Sequence, residues 1–176
     1  MSGDASPRRT GLIGFRRPVG GRNRVLGPLV GAALELAAGV APAQSPQPAV
    51  ADIKAYLIYE SSGTLSDNIA PPVKFHGWNT LIGEGDARQP ANDVLVMAVV
   101  SGPRGSLVPG PLSLTISDRR TKRILVSRTI DNLLFGANGE VTKGVFVPDA
   151  TCTPLEIEAS IGASRRSTTL DFACAE

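Results

Sequence analysis

The stretch "PLSLTISDRRTKRILVSRTI", residues 111–130, carries the pattern that decides the fold. Apolar and polar residues alternate in its first half, as they do in a strand with one buried face. The polar segment "DRRTK" predicts a turn, and the apolar run after it is expected to face the same side. The stretch therefore predicts an antiparallel β-hairpin. The residues expected on its buried face are Leu112, Leu114, Ile116, Ile124 and Val126.

Similar short runs of β-branched and aliphatic residues occur along the rest of the chain, separated by Gly, Pro, Asn and Asp. None shows sustained helical periodicity. The run at 93–101, "DVLVMAVVS", is apolar nearly throughout, which predicts a central strand covered on both sides. About seven such runs predict an all-β fold, an antiparallel immunoglobulin-like β-sandwich, with an open barrel as the alternative. The other runs are "DIKAYLIYE" (52–60), "GEVTKGVFVP" (139–148), "PLEIEASI" (154–161) and "STTLDFAC" (167–174).

Residues 1–43 have the composition of a secretory signal peptide. They contain six arginines before an apolar run that ends in the small residues Ala41-Pro42-Ala43. Glycines, a proline and Glu35 dilute the apolar run, so a retained membrane anchor is not expected. Two arginine pairs leave a twin-arginine signal as an alternative to the general export route. We expect cleavage after residue 43, a flexible lead-in at 44–51, a β-sandwich domain at 52–176, and a periplasmic or secreted location.

The charge that remains after residue 43 excludes some partners. The whole chain has a formal charge of +2. Residues 44–176 carry 12 Lys and Arg against 14 Asp and Glu, and these charges are scattered. Because no basic patch remains, we expect neither nucleic acid nor an anionic membrane surface as a partner.

Cys152 and Cys174 are the only cysteines, and an even count in an exported chain predicts a disulfide. A possible hairpin register supports the pairing. Placing Leu155 opposite Phe172 makes "GASR" a four-residue loop and leaves the two cysteines one step out of register. A small bulge would then bring them to disulfide distance.

The segment "HGWNTLIGEGDARQPANDV", residues 76–94, contains the only histidine and the only tryptophan. Four oxygen-bearing residues within it are candidates for a calcium site, because hard cations prefer oxygen ligands. Their spacing does not match an EF-hand loop, so we favour a solvated connection over an ion site. The four candidates are Glu84, Asp86, Asn92 and Asp93.

Trp78 and His76 are the candidate contact residues for a ligand or partner. A tryptophan on a loop can anchor a partner or stack on a sugar, although a lone tryptophan in a small sandwich more often fills the core. A single histidine cannot supply a multi-histidine metal site, and no G-x-S-x-G motif accompanies it. We therefore expect no catalytic residues and no cofactor apart from the calcium candidate.

These observations predict an exported, non-enzymatic binding or accessory module. Its partner would be a protein or another envelope component, held by loops or by an exposed sheet edge. The first alternative is a calcium or carbohydrate site in the Trp78–Asp93 loop, and an enzyme is the second.

Overall fold

A computed structural model of the chain describes residues 47–174. Within that range the protein is all-β, as predicted, with one short 3₁₀ helix at Thr80–Ile82. Seven strands have at least seven residues, and five have two residues each. The strands are β1 (Ala49–Tyr59), β2 (Thr64–Leu65), β3 (Gly77–Trp78), β4 (Asp93–Ser101), β5 (Leu107–Val108), β6 (Leu112–Asp118), β7 (Ile124–Ile130), β8 (Leu133–Leu134), β9 (Glu140–Val147), β10 (Leu155–Ile161), β11 (Ser164–Leu170) and β12 (Phe172–Ala173).

The seven long strands and the two-residue strand β2 form two four-stranded antiparallel sheets. One has the order β2-β1-β4-β9 and the other has the order β11-β10-β6-β7. Two small ribbons complete the described residues: β5 pairs with β8 in an antiparallel sense, and β3 pairs with β12 in a parallel sense. In the described part of the chain, no helix is long and apolar enough to cross a membrane.

The core contains the inward-facing residues of both sheets, an arrangement compatible with a β-sandwich. Every second residue of β4, β6 and β10, and of β1 from Ile53 onward, is buried, because successive side chains of a strand point to opposite faces. The buried residues of the two sheets belong to one hydrophobic cluster. Leu112, Leu114 and Ile116 are fully buried in it, which confirms the face predicted for the first half of the hairpin.

The second half of that hairpin departs from the prediction at Ile124. Val126 lies opposite Ile116 and packs against the core, but Ile124 is 61% exposed. The register shifts between Ile116 and Ser117, so that Ile124 lies opposite Ser117. A one-residue irregularity moves a side chain to the other face of the sheet. The alternation of apolar and polar residues therefore predicted the wrong face for Ile124.

The predicted register of the last hairpin is also wrong, by two residues. Leu155 lies opposite Leu170 instead of Phe172, and Ile161 lies opposite Ser164. The connection is therefore a two-residue turn, in which Gly162 has a φ of +54°. Tight hairpin turns require this left-handed conformation, and glycine adopts it without a steric penalty.

The start of the domain lies earlier than expected. Residues 49–51 were assigned to a flexible lead-in, but they belong to β1, where Val50 is buried opposite Val100. Burial of Val50 and pairing with β4 order this segment in spite of the prolines before it. The predicted signal peptide at 1–43 and the start of the lead-in lie outside the described residues.

Strand β4 is central, as predicted, but it is not covered equally on both sides. Its inward residues are fully buried, whereas Leu95, Met97 and Val99 on the other side are only half-buried. The apolar run thus has one face in the core and one apolar face turned outward.

Candidate functional site

The candidate site lies on the connection between β2 and β4, which the C-terminal strand β12 holds in place. Gly77 and Trp78 of β3 pair with Phe172 and Ala173 of β12. Phe172 is buried, and its ring lies so close to Gly77 that a Cβ atom there would overlap it. Phe75 packs edge-on against the same ring, with the centroids 6.3 Å apart. Glycine at position 77 therefore allows the loop to approach the C-terminal strand.

The predicted disulfide between Cys152 and Cys174 is present, with a Cα–Cα distance of 5.1 Å. Cys174 directly follows β12, and Cys152 lies in the connection between β9 and β10. The bond therefore fixes the end of the strand on which β3 rests.

His76 and Asp86 close the base of the loop. The backbone amide of His76 donates to Asp86 Oδ2 at 2.8 Å, and His76 Nδ1 lies 3.1 Å from the same oxygen. The backbone amide of Asp86 in turn donates to the His76 carbonyl at 3.2 Å. The backbone hydrogen bond from His76, with the side-chain bond second, holds the pKa of Asp86 below its usual value. The Asp86 carboxylate therefore holds the two ends of the loop together through its hydrogen bonds with His76.

Asn79 and Glu84 form a second bridge across the loop. Asn79 Nδ2 donates to Glu84 Oε2 at 2.9 Å, and the Glu84 amide donates to the Asn79 carbonyl at 3.3 Å. Asn79 has a φ of +49° and Gly83 a φ of +82°, so left-handed residues flank the short 3₁₀ helix. Asparagine and glycine are the residues that adopt this conformation most readily.

Asn92 and Asp93 lie at the other end of the connection and contact a different loop. Asn92 Nδ2 donates to Asp149 Oδ1 at 2.5 Å, and the Asp149 amide donates to Asp93 Oδ1 at 3.0 Å. The Ala150 amide also donates to the Asn92 carbonyl at 2.9 Å. These contacts attach the start of β4 to the connection between β9 and β10.

The four calcium candidates therefore take part in three separate sets of contacts. Glu84 bonds to Asn79, Asp86 to His76, and Asn92 and Asp93 to residue 149 and its neighbour. Among residues 47–174 there is no group of three or more His, Cys, Asp or Glu side chains arranged to hold a metal ion.

The imidazole of His76 has a single hydrogen-bond partner in the described part of the chain. In the described residues its hydrogen-bond partner is Asp86, and the His76 side chain is 81% exposed. Neither described cysteine is a free thiol, because both are in the disulfide. No hydroxyl of the described chain is bonded to this imidazole in the way that a nucleophile-base pair requires.

Trp78 points outward, which corrects the expectation that it would fill the core. It is 50% exposed, while Gly77 before it is buried. Because β3 turns its glycine toward Phe172, the next side chain must point to the other side. Leu81 and Ile82 on the 3₁₀ helix are 40% and 63% exposed. Three large apolar side chains within five residues therefore face solvent.

The sequence predicts a solvated connection here and does not identify Leu81 and Ile82 as contact residues. A signal was nevertheless present, because Asn79 and Gly83 enclose "TLI" between two residues that favour left-handed conformations. Two such residues on either side of a short segment indicate a tight turn, in which apolar side chains have little opportunity to pack into the core.

A groove of about 500 Å³ lies beside this tip and includes Leu81 in its wall. Ser61 on one wall donates to Gln89 Oε1 at 3.1 Å, which holds the two sides together. The groove combines apolar walls with one carboxylate and one amide. Its lining residues are Glu60, Ser61, Leu81, Pro90, Ala91 and Asn92.

No protein-family model matches the chain, and no curated protein matches it either. The function must therefore be argued from the residues of this site.

Proposed function

We propose that this protein is an exported, non-enzymatic binding module with an immunoglobulin-like β-sandwich fold. It holds a protein partner of the cell envelope through the loop tip formed by Trp78, Leu81 and Ile82. The observation that carries the proposal is the exposure of these three side chains on a loop ordered by hydrogen bonds on both sides.

The strand order supports the immunoglobulin-like assignment. If the seven long strands are lettered A to G in chain order, one sheet contains A, B and E and the other contains G, F, C and D. Immunoglobulin constant domains have A, B, E and D in one sheet and C, F and G in the other. Six of the seven strands thus lie in the corresponding sheets, and only the fourth changes sheet.

The loop tip has the properties of an interface anchor. Partner binding costs less when the contact residues are already ordered, because little conformational entropy is then lost. The bridges His76–Asp86 and Asn79–Glu84, together with the pairing to β12, provide that order. Tryptophan is also among the residues that contribute most to binding energy at interfaces.

Export is supported by two independent features. Residues 1–43 have the three-part pattern of a secretory signal peptide. The Cys152–Cys174 disulfide is the type of bond that persists in oxidising compartments. A periplasmic or secreted location accounts for both.

Site-specific photo-crosslinking in intact cells tests the proposal. A benzophenone amino acid replaces Ile82 in one variant and Ile124 in the control, because the two isoleucines are 63% and 61% exposed. We expect a discrete protein adduct from position 82 that Trp78→Ala abolishes, and no such adduct from position 124. Equal adducts at both positions, or an adduct that Trp78→Ala leaves unchanged, would contradict the proposed site.

A carbohydrate is the second candidate ligand, because Trp78 is half-exposed and the next residue, Asn79, is hydrogen-bonded to Glu84 on the same loop. An aromatic face flanked by hydrogen-bonding groups is suited to stacking on a sugar ring. Soluble envelope glycans should then compete with the adduct at position 82. The protein-partner proposal predicts that they do not.

A further inference from the structure

The outward face of the β1-β4-β9 sheet carries an apolar surface that the loop tip does not use. Two adjacent rows run across it, and cross-strand pairing defines each row. Tyr56, Leu95 and Phe146 form the first row. Lys54, Met97 and Gly144 form the second. We call this surface the outer face.

A projection and a gap lie side by side on strand β9 of this outer face. Phe146 is 51% exposed, which is unusual for a phenylalanine on a sheet. Two residues earlier, Gly144 leaves a space beside the side chains of Leu95 and Met97. A Cβ atom at Gly144 would lie 3.2 Å from the Val96 carbonyl oxygen, 3.4 Å from Met97 Cγ and 3.5 Å from Leu95 Cδ1, so the gap is a shallow one, with Val96 below it and Met97 and Leu95 as its walls.

We propose that a second copy of this chain covers the outer face in a symmetric dimer. The twofold axis lies in the interface, perpendicular to the strands and midway between the two rows. This axis exchanges the rows, so each Phe146 enters the Gly144 gap of the second copy. Leu95 then faces Met97 of the second copy, and Met97 faces Leu95. Because a twofold interface repeats each contact, one adjacent projection and gap generate two interlocking pairs.

The charge on the two rows fits the same arrangement. Lys54 is the single charged residue among the six, and the twofold axis places it over the ring of Tyr56 in the second copy. A cation over an aromatic face is attractive, and no like charges oppose each other between the two rows. Asp52 and Asp93 lie on the next rows outward, where the edge of the interface remains open to water.

The size of the outer face sets the expected strength of association between the two copies. Three strands spaced by about 4.8 Å and two rows spaced by about 6.8 Å give a footprint of about 200 Å² per copy. A standard stable interface buries about 800 Å² per partner. The dimer should therefore be reversible and concentration-dependent, instead of permanent.

Sedimentation velocity over a concentration series of the purified chain tests the dimer. We expect the wild type to shift from monomer to dimer as concentration rises. Phe146→Ser removes the projection, and Gly144→Val fills the gap, so each variant should weaken association at least tenfold. Ile124→Ser, which removes an equally exposed side chain on β7, should leave association unchanged.

Mixing the Phe146→Ser and Gly144→Val variants tests the proposed contact most directly. A Phe146→Ser copy keeps its gap and a Gly144→Val copy keeps its projection, so a mixed dimer regains one of the two interlocking contacts. We expect the mixture to associate more strongly than either variant alone. Thermal melting checks that both variants fold, and Gly144→Ala replaces Gly144→Val if the larger residue disturbs the strand. A wild type that stays monomeric at all concentrations, or a mixture no better than its components, would overturn the dimer.

Discussion

The backbone amide of Asn79 donates a hydrogen bond of 2.7 Å to the carbonyl of Ala173. The loop that carries Trp78 is thereby attached to the C-terminal strand β12, and the Cys152–Cys174 disulfide begins at the next residue. Covalent and hydrogen-bonded connections therefore lead without interruption from the disulfide to the proposed contact residues. We therefore expect the order of the loop tip to depend on a bond that a reducing agent can break.

Breaking the disulfide should loosen the loop as well as lower stability. The cysteines are 22 residues apart, and closing a loop of about that length is worth about 3 kcal/mol in the chain-entropy model. A Cys152→Ala/Cys174→Ala variant should lose roughly that much free energy of unfolding in a urea titration. Hydrogen exchange should accelerate more strongly at residues 77–84 than in the β10–β11 hairpin, where the acceleration reflects only the lower global stability. Unchanged exchange at 77–84 would show that the disulfide does not order the loop.

Substitutions at the loop tip should affect binding without affecting folding. Trp78→Ala and Ile82→Ser remove exposed side chains, so the free energy of unfolding should change by no more than about 0.5 kcal/mol. Leu114→Ala is the comparison, because it leaves a cavity in the core and should cost about 2–5 kcal/mol. Denaturant titrations of the three variants measure this difference. A loss of more than about 2 kcal/mol at Trp78 would indicate that this side chain is structural.

Asp118 should make stability depend on acidic pH. Its side chain accepts a hydrogen bond of 2.6 Å from Thr121 Oγ1 and one of 2.8 Å from the Arg120 amide. The bond from Thr121, with the backbone bonds after it, lowers the pKa of Asp118 from the usual 3.8. Since the pKa is lower in the folded state, the stabilisation is present above the unfolded-state pKa and is lost as pH falls through the folded-state value.

The Asp118→Asn variant isolates this contribution. Below about pH 4, wild-type stability should fall more steeply than that of the variant, and the variant should be less stable at neutral pH. Urea midpoints measured between pH 2 and pH 7 provide the comparison. Parallel pH profiles for the two proteins would mean that Asp118 does not titrate differently on folding.

Calcium should leave the melting temperature unchanged. The carboxylates of Glu84 and Asp86 and the side chains of Asn92 and Asp93 are occupied in separate contacts, so no common site forms. A ligand that binds only the folded state would raise the melting temperature, and the rise would grow with the logarithm of the ligand concentration above its dissociation constant. Melting curves with millimolar calcium and with a chelator test this. A rise of several degrees with calcium would revive the ion-binding alternative.

Much of the fold could be read from alternation in single strands. The buried face of Leu112, Leu114 and Ile116 followed from a period of two, which is a property of the extended backbone. The Cys152–Cys174 bond followed from an even cysteine count and approximate spacing. Ile124 and the register of Leu155 did not follow, because a bulge or a tighter turn changes the partner of a residue without changing its own sequence pattern.

The candidate site could be located from the sequence, but its geometry could not. The only tryptophan and histidine drew attention to residues 76–94. The sequence did not indicate that Trp78 points outward, because that direction is set by the packing of Gly77 against Phe172, 95 positions later. The same limit applies to the calcium candidates, whose actual partners include Asp149 from a distant loop.

Local chemistry by itself determined that this chain forms strands, approximately where they end and that its cysteines pair. Backbone periodicity and turn preferences act over a few residues, so they can be predicted from the sequence directly. Tertiary structure alone decided which apolar residues remain outside the core, both at the loop tip and on the outer face with Phe146 and Gly144. An apolar side chain has no preference for one neighbour over another, so its burial depends on which strands the whole fold brings beside it.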